Sequence, residues 1–291
     1  MPVLGLGTWR LNDGDEVKDA VKTALLEANY NAVDTAYVYK NEAGVGEALE
    51  EIFSSGAKNR AEIFVTTKLS WVGEENAHGH GVPEALRSQL NRLRLEYVDL
   101  FLIHTPKGGD LLLTWHELLR CREAGLCRSV GVSNFSLAHL KEMKAAGVEL
   151  PEVVQNEFHV WHQHRELRRF CHQEGIVFTG YCPLGRGFPG GACPEPGDEK
   201  AAPIVAAARR HGKSWAQVLI KWSLQMGAVT IPRSSNQEHI KQNADMEGWE
   251  LTGAEMTALS ELEQPTQQNV HEATPWAEVC LKPRRGAGRW L

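Results

Sequence analysis

The residues best suited to chemistry fall at the ends of three apolar runs. The stretch Asp34-Thr35-Ala36-Tyr37-Val38-Tyr39-Lys40-Asn41-Glu42 puts a carboxylate and a phenol on one connection, Lys68 closes the next run, and His104 closes the one after, in Leu102-Ile103-His104-Thr105-Pro106. Such a set suits general acid catalysis. A phenol titrates near 10, too high for easy proton transfer at neutral pH. A Lys ammonium about 4 Å away at an effective dielectric of about 20 contributes up to about 4 kcal/mol, roughly a thousandfold in acidity. Lys68 is placed to supply that charge, Asp34 to hold Lys68 ionised, and His104 to orient a carbonyl oxygen or share in the proton transfer.

The elements that must position them alternate regularly. Short β-rich runs at 3–6, 32–35, 63–67, 98–103, 128–132, 153–155, 176–181 and 228–231 are each followed by a stretch of helical periodicity. Val17, Val21, Ala24 and Leu25 share one face of a helix predicted over 17–26, and Pro83 suits the first turn of another. Eight such units in one chain predict a single-domain α/β fold, the (β/α)8 TIM barrel, whose active site lies at the carboxyl ends of the strands. Chemically capable residues follow the runs in order: Asp34, Lys68, His104, Ser133 and Asn134, Gln155, Tyr181, then Arg233 and Ser234. Residues 264–291 lack periodicity and read as a C-terminal arm within the same domain.

Composition narrows the function classes. The chain has 291 residues, 42% hydrophobic and 23% charged, which excludes a disordered chain, and 31 Lys and Arg against 37 Asp and Glu give a net charge of −6, which makes nucleic acid an unexpected partner. There is no apolar run of membrane-spanning length and no secretory leader pattern at Met1, so a cytoplasmic protein without a membrane partner is expected. The six cysteines form no C-x-x-C pair. The clusters His78-Gly79-His80 and His159 to His164 lack acidic or thiolate partners at a convincing ligand spacing, so they read as packing or surface histidines and no metal site is expected. Gly185-Arg186-Gly187-Phe188-Pro189-Gly190 matches a dinucleotide fingerprint literally, but the prolines and glycines around it prevent the helix that the fingerprint requires.

Taken in order, Gly5-Leu6-Gly7-Thr8-Trp9, the 34–42 stretch, Thr67-Lys68-Leu69, Ile103-His104, Gly131-Val132-Ser133-Asn134-Phe135, Pro183-Leu184-Gly185 and Ile231-Pro232-Arg233-Ser234 resemble the aldo-keto reductases over nearly the whole chain. The resemblance implies reduction of a small aldehyde or ketone by hydride transfer from NADPH, with NADH possible as a substitute. Tyr39 would be the proton donor, with Asp34, Lys68 and His104 completing a tetrad. It further implies a cofactor site made by Thr8, Ser133, Asn134, Gln155, Tyr181, Leu184, Arg233, Ser234, His239, Gln242 and Asn243, a substrate pocket touching Trp9, Val38, Trp71 and Thr105, and a monomer.

Several positions depart from the family's pattern. His239 stands where an Arg is usual, which weakens the preference for NADPH over NADH. Thr105 and Ser70 stand where members carry aromatic residues, which implies a more open or more polar pocket floor. Members begin with a β-hairpin that plugs the barrel bottom, and this chain opens at Met1-Pro2 where that hairpin would end, so a barrel lacking that cap is expected. Two rival readings follow. One is a catalytically weak NADP(H)-binding sensor or interaction subunit on the same scaffold. The other is an isomerase or aldolase that uses Lys68 as a Schiff-base amine.

Overall fold

The computed structural model describes residues 1–70, 81–107, 110–185 and 201–263. Eight parallel strands run in chain order: β1 (Leu6–Gly7), β2 (Ala32–Asp34), β3 (Phe64–Leu69), β4 (Val98–Ile103), β5 (Cys127–Ser133), β6 (Val153–Glu157), β7 (Val177–Tyr181) and β8 (Val229–Ile231). The sheet closes on itself, since Leu4 bridges Thr230 in parallel, the Gly5 N–H donates to the Thr230 carbonyl at 3.0 Å and the Gly7 N–H to the Pro232 carbonyl at 3.0 Å. Gly7 permits this seam: a Cβ there would lie 2.9 Å from the Ile231 carbonyl oxygen. The chain is therefore a single (β/α)8 barrel, as its alternating pattern predicts. Each predicted strand is present, with ends displaced by up to three residues and β4 matching residue for residue.

Helices α1 (Asp15–Lys22), α2 (Glu42–Ser54), α3 (Val82–Leu93), α4 (Leu111–Glu123), α5 (Leu137–Ala145), α6 (Arg165–Gln173), α7 (Ala202–His211), α8 (Trp215–Gln225), α9 (Gln237–Ala244) and α10 (Gly253–Ser260) surround the barrel. Their starts follow local chemistry. Ser136, Ser214 and Thr252 cap α5, α8 and α10 by accepting from the third helical N–H, and Pro83 sits in the first turn of α3. The helix predicted over 17–26 changes form at Thr23, where the Ala28 N–H reaches the Thr23 carbonyl and the turn widens over Thr23–Glu27. Its apolar face is kept all the same, with Val17, Val21, Ala24 and Leu25 fully buried. Among the described residues no helix is long and apolar enough to cross a membrane.

Strand alternation divides the core in two. Outward residues such as Phe101, Ile103 and Val132 pack under the helices, while Leu100, Leu102 and Val153 form a small separate cluster inside the barrel, with Phe64 against it. The same period of two aims Asp34, Lys68, Ser133, Gln155 and Tyr181 inward at the strand ends. Below them, at the amino end of β4, Asp99 accepts from Arg60 at 2.7 Å and from the Val65 N–H at 2.9 Å. The Arg60 and Arg128 guanidinium groups lie over the Tyr97 ring at 4.0 and 4.4 Å. This end is built for cohesion. The histidines at 159–164 sit on the loop after β6, where the His162 and His164 rings meet edge to face at 4.0 Å and burial pushes the His164 pKa down to about 3.

The interior tolerates little added volume at Gly131, where a Cβ would stand 2.3 Å from the Val153 carbonyl oxygen and 2.8 Å from Leu102 Cδ2. Gly131→Ala is expected to cost about 1–3 kcal/mol or more in urea unfolding, whereas Gly253→Ala, with nothing within 4 Å, should change the midpoint little.

Candidate active site

The site is built around an ammonium group with no access to water. Lys68, on β3, is fully buried, and its Nζ donates to Asp34 Oδ1 at 2.5 Å, to the Thr35 carbonyl at 2.9 Å and to Tyr39 Oη at 3.3 Å. Asp34 is held in turn. The Gln155 amide donates to its Oδ2 at 2.8 Å from across the barrel, and Thr8 caps its backbone carbonyl with both its N–H and its hydroxyl at 3.0 Å. Tyr39 ends a single 3₁₀ turn, Tyr37–Tyr39, that follows β2, and Lys40 leaves this turn in the left-handed region at φ 59°. Asn41 then fastens the segment, donating to the Thr8 and Leu11 carbonyls at 2.8 and 2.9 Å. The His104 ring meets the Tyr39 ring edge to face at 5.6 Å.

A second buried layer supports Lys68 from behind. Gln89 of α3 donates to the Lys68 carbonyl at 3.0 Å and to Glu42 Oε1 at 2.8 Å, while Glu42 pairs with Arg92 at 2.8 Å. These residues fix the strand end from which the lysine projects. Only Glu42 stands in the motif-bearing stretch; Gln89 and Arg92 lie on the helix opened by Pro83, with no local signal of their role.

Proton affinities within the site run against one expectation. Lys68 was expected to draw the Tyr39 phenol toward neutrality, yet its pKa lies well above 10, because withdrawal from water penalises the phenolate first and the Asp34 carboxylate adds to that penalty. The Lys68 charge is already committed to Asp34. Burial lowers the lysine's own pKa below 10.5, with Asp34 opposing the shift. In the free protein the tyrosine therefore keeps its proton at ordinary pH.

A cavity of about 290 Å³ opens over this set. Of the expected residues it is lined by Asp34, Tyr39, His104, Ser133, Asn134, Gln155, Tyr181, Arg233, Trp9, Val38 and Thr105. Gly7, Ser70, Cys182 and Ile231 line it as well. Ser70, expected with Thr105 at the pocket floor, lies two positions beyond Lys68 on the inward face. Asn134, left-handed at φ 62°, joins two strand ends by donating to the His104 carbonyl at 2.8 Å and accepting from the Tyr181 hydroxyl at 2.7 Å. Ser133 donates to the Gln155 carbonyl at 2.8 Å.

Other expected residues stand off the cavity. Thr8 lies behind its wall, and Leu184 sits in the turn after β7, against the core. Ser234 is buried in the turn leading into α9, where Asn236 caps the helix by accepting the His239 N–H at 3.0 Å. His239 and Gln242 are exposed on α9, Asn243 is buried there, and Trp71 lies outside the described residues. A nicotinamide dinucleotide fits this chain: a wall of amide and hydroxyl groups and the half-buried Tyr181 ring stand beside Tyr39, and an exposed guanidinium marks the rim. Arg233 reaches out at that rim and donates to the Arg10 carbonyl at 2.8 Å, next to the amino end of α9, where an anionic group is favoured. A Schiff-base role for Lys68 does not fit, since its nitrogen is enclosed and hydrogen-bonded by three oxygens.

Comparison with known proteins agrees with this geometry. The model of the aldo/keto reductase family matches residues 3–264. The 9,11-endoperoxide prostaglandin H2 reductase of Trypanosoma cruzi is 41% identical over 262 residues, 90% of this chain and 88% of that protein, and the glyoxal reductase of Bacillus subtilis is 37% identical over 262 residues, 90% and 89%. Among solved structures, the aldose reductase of Schistosoma japonicum superposes with a TM-score of 0.79 at 33% identity, covering 91% of this chain and 90% of that one. A Bombyx mori aldo-keto reductase in complex with NADP does so with a TM-score of 0.79 at 32% identity, covering 90% and 89%. The chain belongs to the aldo/keto reductase family, a family of oxidoreductases.

Removing the counter-charge tests the buried pair. Asp34→Asn leaves the Lys68 ammonium uncompensated and is expected to cost about 3–5 kcal/mol in urea unfolding at neutral pH. Asp34 holds the lysine pKa up against burial, so in the variant it falls further below 10.5 than in the parent; the unfolded variant then binds the extra proton over a wider alkaline range, and the deficit should shrink as pH rises toward 10.5.

Proposed function

We propose that the chain is an NADPH-dependent reductase of small aldehydes and ketones in which Tyr39 is the proton donor. The observation that carries this reading is the Tyr39 hydroxyl 3.3 Å from a fully buried Lys68, at the wall of a cavity that also holds His104. A reduced nicotinamide, when bound, supplies the hydride. Everything else is the work of the chain. Ser133, Asn134, Gln155 and Tyr181 would hold the nicotinamide end, and Arg233 with the start of α9 the adenosine end. His104 orients the carbonyl oxygen. As that oxygen takes on negative charge it becomes a far stronger base than a phenolate, so the Tyr39 proton passes to it, and the phenolate left behind faces the Lys68 ammonium.

Support for NADPH comes from the exposed Arg233, whose planar fork suits a phosphate, and from the Bombyx mori relative solved with NADP. We further propose a cytoplasmic monomer, to be checked by cell fractionation and light scattering. The test of the whole reading mixes the purified chain with NADPH and a reactive aromatic aldehyde and follows nicotinamide absorbance. Consumption supports the reductase, whereas binding without consumption favours the sensor reading.

Tyr39→Phe should lower turnover by about 10²–10⁴-fold while NADPH affinity stays within a few-fold, measured by steady-state rates and tryptophan quenching. Because the Tyr39 pKa is raised and that of Lys68 lowered, the alkaline fall in turnover should lie below pH 10.5 and report the lysine. A fall found only above pH 10.5 would assign it to the tyrosine.

A further inference from the structure

Ser70 carries a buried polar atom with no hydrogen-bond partner among the described residues. The residue is only 5% exposed, and among the described residues it is the one cavity-lining residue whose side chain holds a buried polar atom without a partner. Buried hydroxyls in native proteins are nearly always paired, so an orphan at a ligand cavity points to a partner that arrives with the ligand. Its position limits which part of the ligand that is. Ser70 follows Leu69, the last residue of β3, and lies inward, as Lys68 does. Leu69 is paired with Ile103 and its carbonyl accepts from the His104 N–H at 3.2 Å, so Ser70 is the next register neighbour of His104, about 5 Å away along the rim. Ser70, His104 and Tyr39 line one cavity, so a substrate whose carbonyl oxygen sits between His104 and Tyr39 would present its neighbouring carbons to the wall that Ser70 forms.

We propose that Ser70 is a specificity-determining residue whose hydroxyl pairs with a second oxygen carried one or two bonds from the reacting carbonyl, so that the favoured substrates are small hydroxy- or oxo-substituted aldehydes and ketones. The proposal rests on the reductase reading for its substrates. The physical basis is asymmetric discrimination: an analogue without the oxygen leaves the hydroxyl buried and unpaired, whereas one that carries it relieves an existing deficit. Thr105, buried beside His104, continues this less aromatic side of the cavity, while Trp9 and Val38 supply an apolar one.

Hydroxyacetone and butanone differ only by a hydroxyl in place of a methyl, and they make the test. Dissociation constants for both are measured by NMR titration of the chain saturated with NADP+, for the native protein and for Ser70→Ala, alongside kcat/KM for both with NADPH. Native protein is expected to favour hydroxyacetone by about 5- to 150-fold and Ser70→Ala to lose most of that ratio, chiefly through weaker binding of hydroxyacetone. A ratio changed by less than twofold overturns the proposal, whether or not either ketone is turned over. If the native protein reduces neither ketone nor the aromatic aldehyde, the reductase reading fails while the affinity ratio still decides the role of Ser70. A second readout guards the premise: with no partner to lose, Ser70→Ala should melt at the same temperature as the native chain or higher. A lower melting temperature would mean that the hydroxyl is already bonded in the free protein, and would overturn the proposal as well.

Discussion

The ion pair between Lys68 and Asp34 is the constraint around which the rest of the site is arranged. Moving an ammonium and a carboxylate out of water is costly, and their attraction offsets that cost only where every remaining proton and lone pair finds a partner. Here the Thr35 carbonyl, the Tyr39 hydroxyl and the Gln155 amide complete the set, drawing on β2, β3 and β6. Those three strands meet at one point because the barrel is closed, so the charge network and the closure of the sheet depend on each other. Thr8, Asn41 and Gln89 belong to the same arrangement one step out, donating to the Asp34, Thr8 and Lys68 carbonyls, and Glu42 accepts from the Gln89 amide.

The network also explains why the phenol is not acidified by a cation 3.3 Å away. A charge already neutralised by a carboxylate lowers a neighbour's pKa little, while enclosure raises it. In the proposed reaction this gives a donor that stays loaded at rest, with a cation placed to receive the phenolate once the proton has gone. This is preorganisation toward the charge distribution of the transition state and away from that of the resting protein.

Strand ends and the residues that gather at the cavity were largely legible in the sequence because period-two alternation and strand-terminal polar residues are local signals, and β4 with His104 behind it is the clearest case. Proton affinities were not, since Tyr39 is governed by enclosure that only the assembled fold creates. Gln89 carries no signal either: on its helix it is one polar residue among several, with Glu84, Arg87, Ser88, Asn91 and Arg92, and its bond to the Lys68 carbonyl is made across a packing contact. The widened turn at Thr23 is likewise invisible in Thr23-Ala24-Leu25-Leu26-Glu27, which reads as ordinary helix. Ser70 was visible as an unusual residue type, but its lack of a partner is a property of the packed wall.

The seam between β1 and β8 has a consequence for how the molecule comes into being. Leu4 and Thr230 meet across almost the whole barrel sequence, so the pairing that closes the sheet is among the most non-local contacts in the chain, and loop-closure entropy places it late in folding. During synthesis β2 and β3 emerge long before β8, and until Ile231 reaches Gly7 the edges of β1 and β8 stay open to other chains. A ribosome-bound intermediate of this protein is thus an open, curved sheet whose aggregation hazard ends only when its last strand arrives.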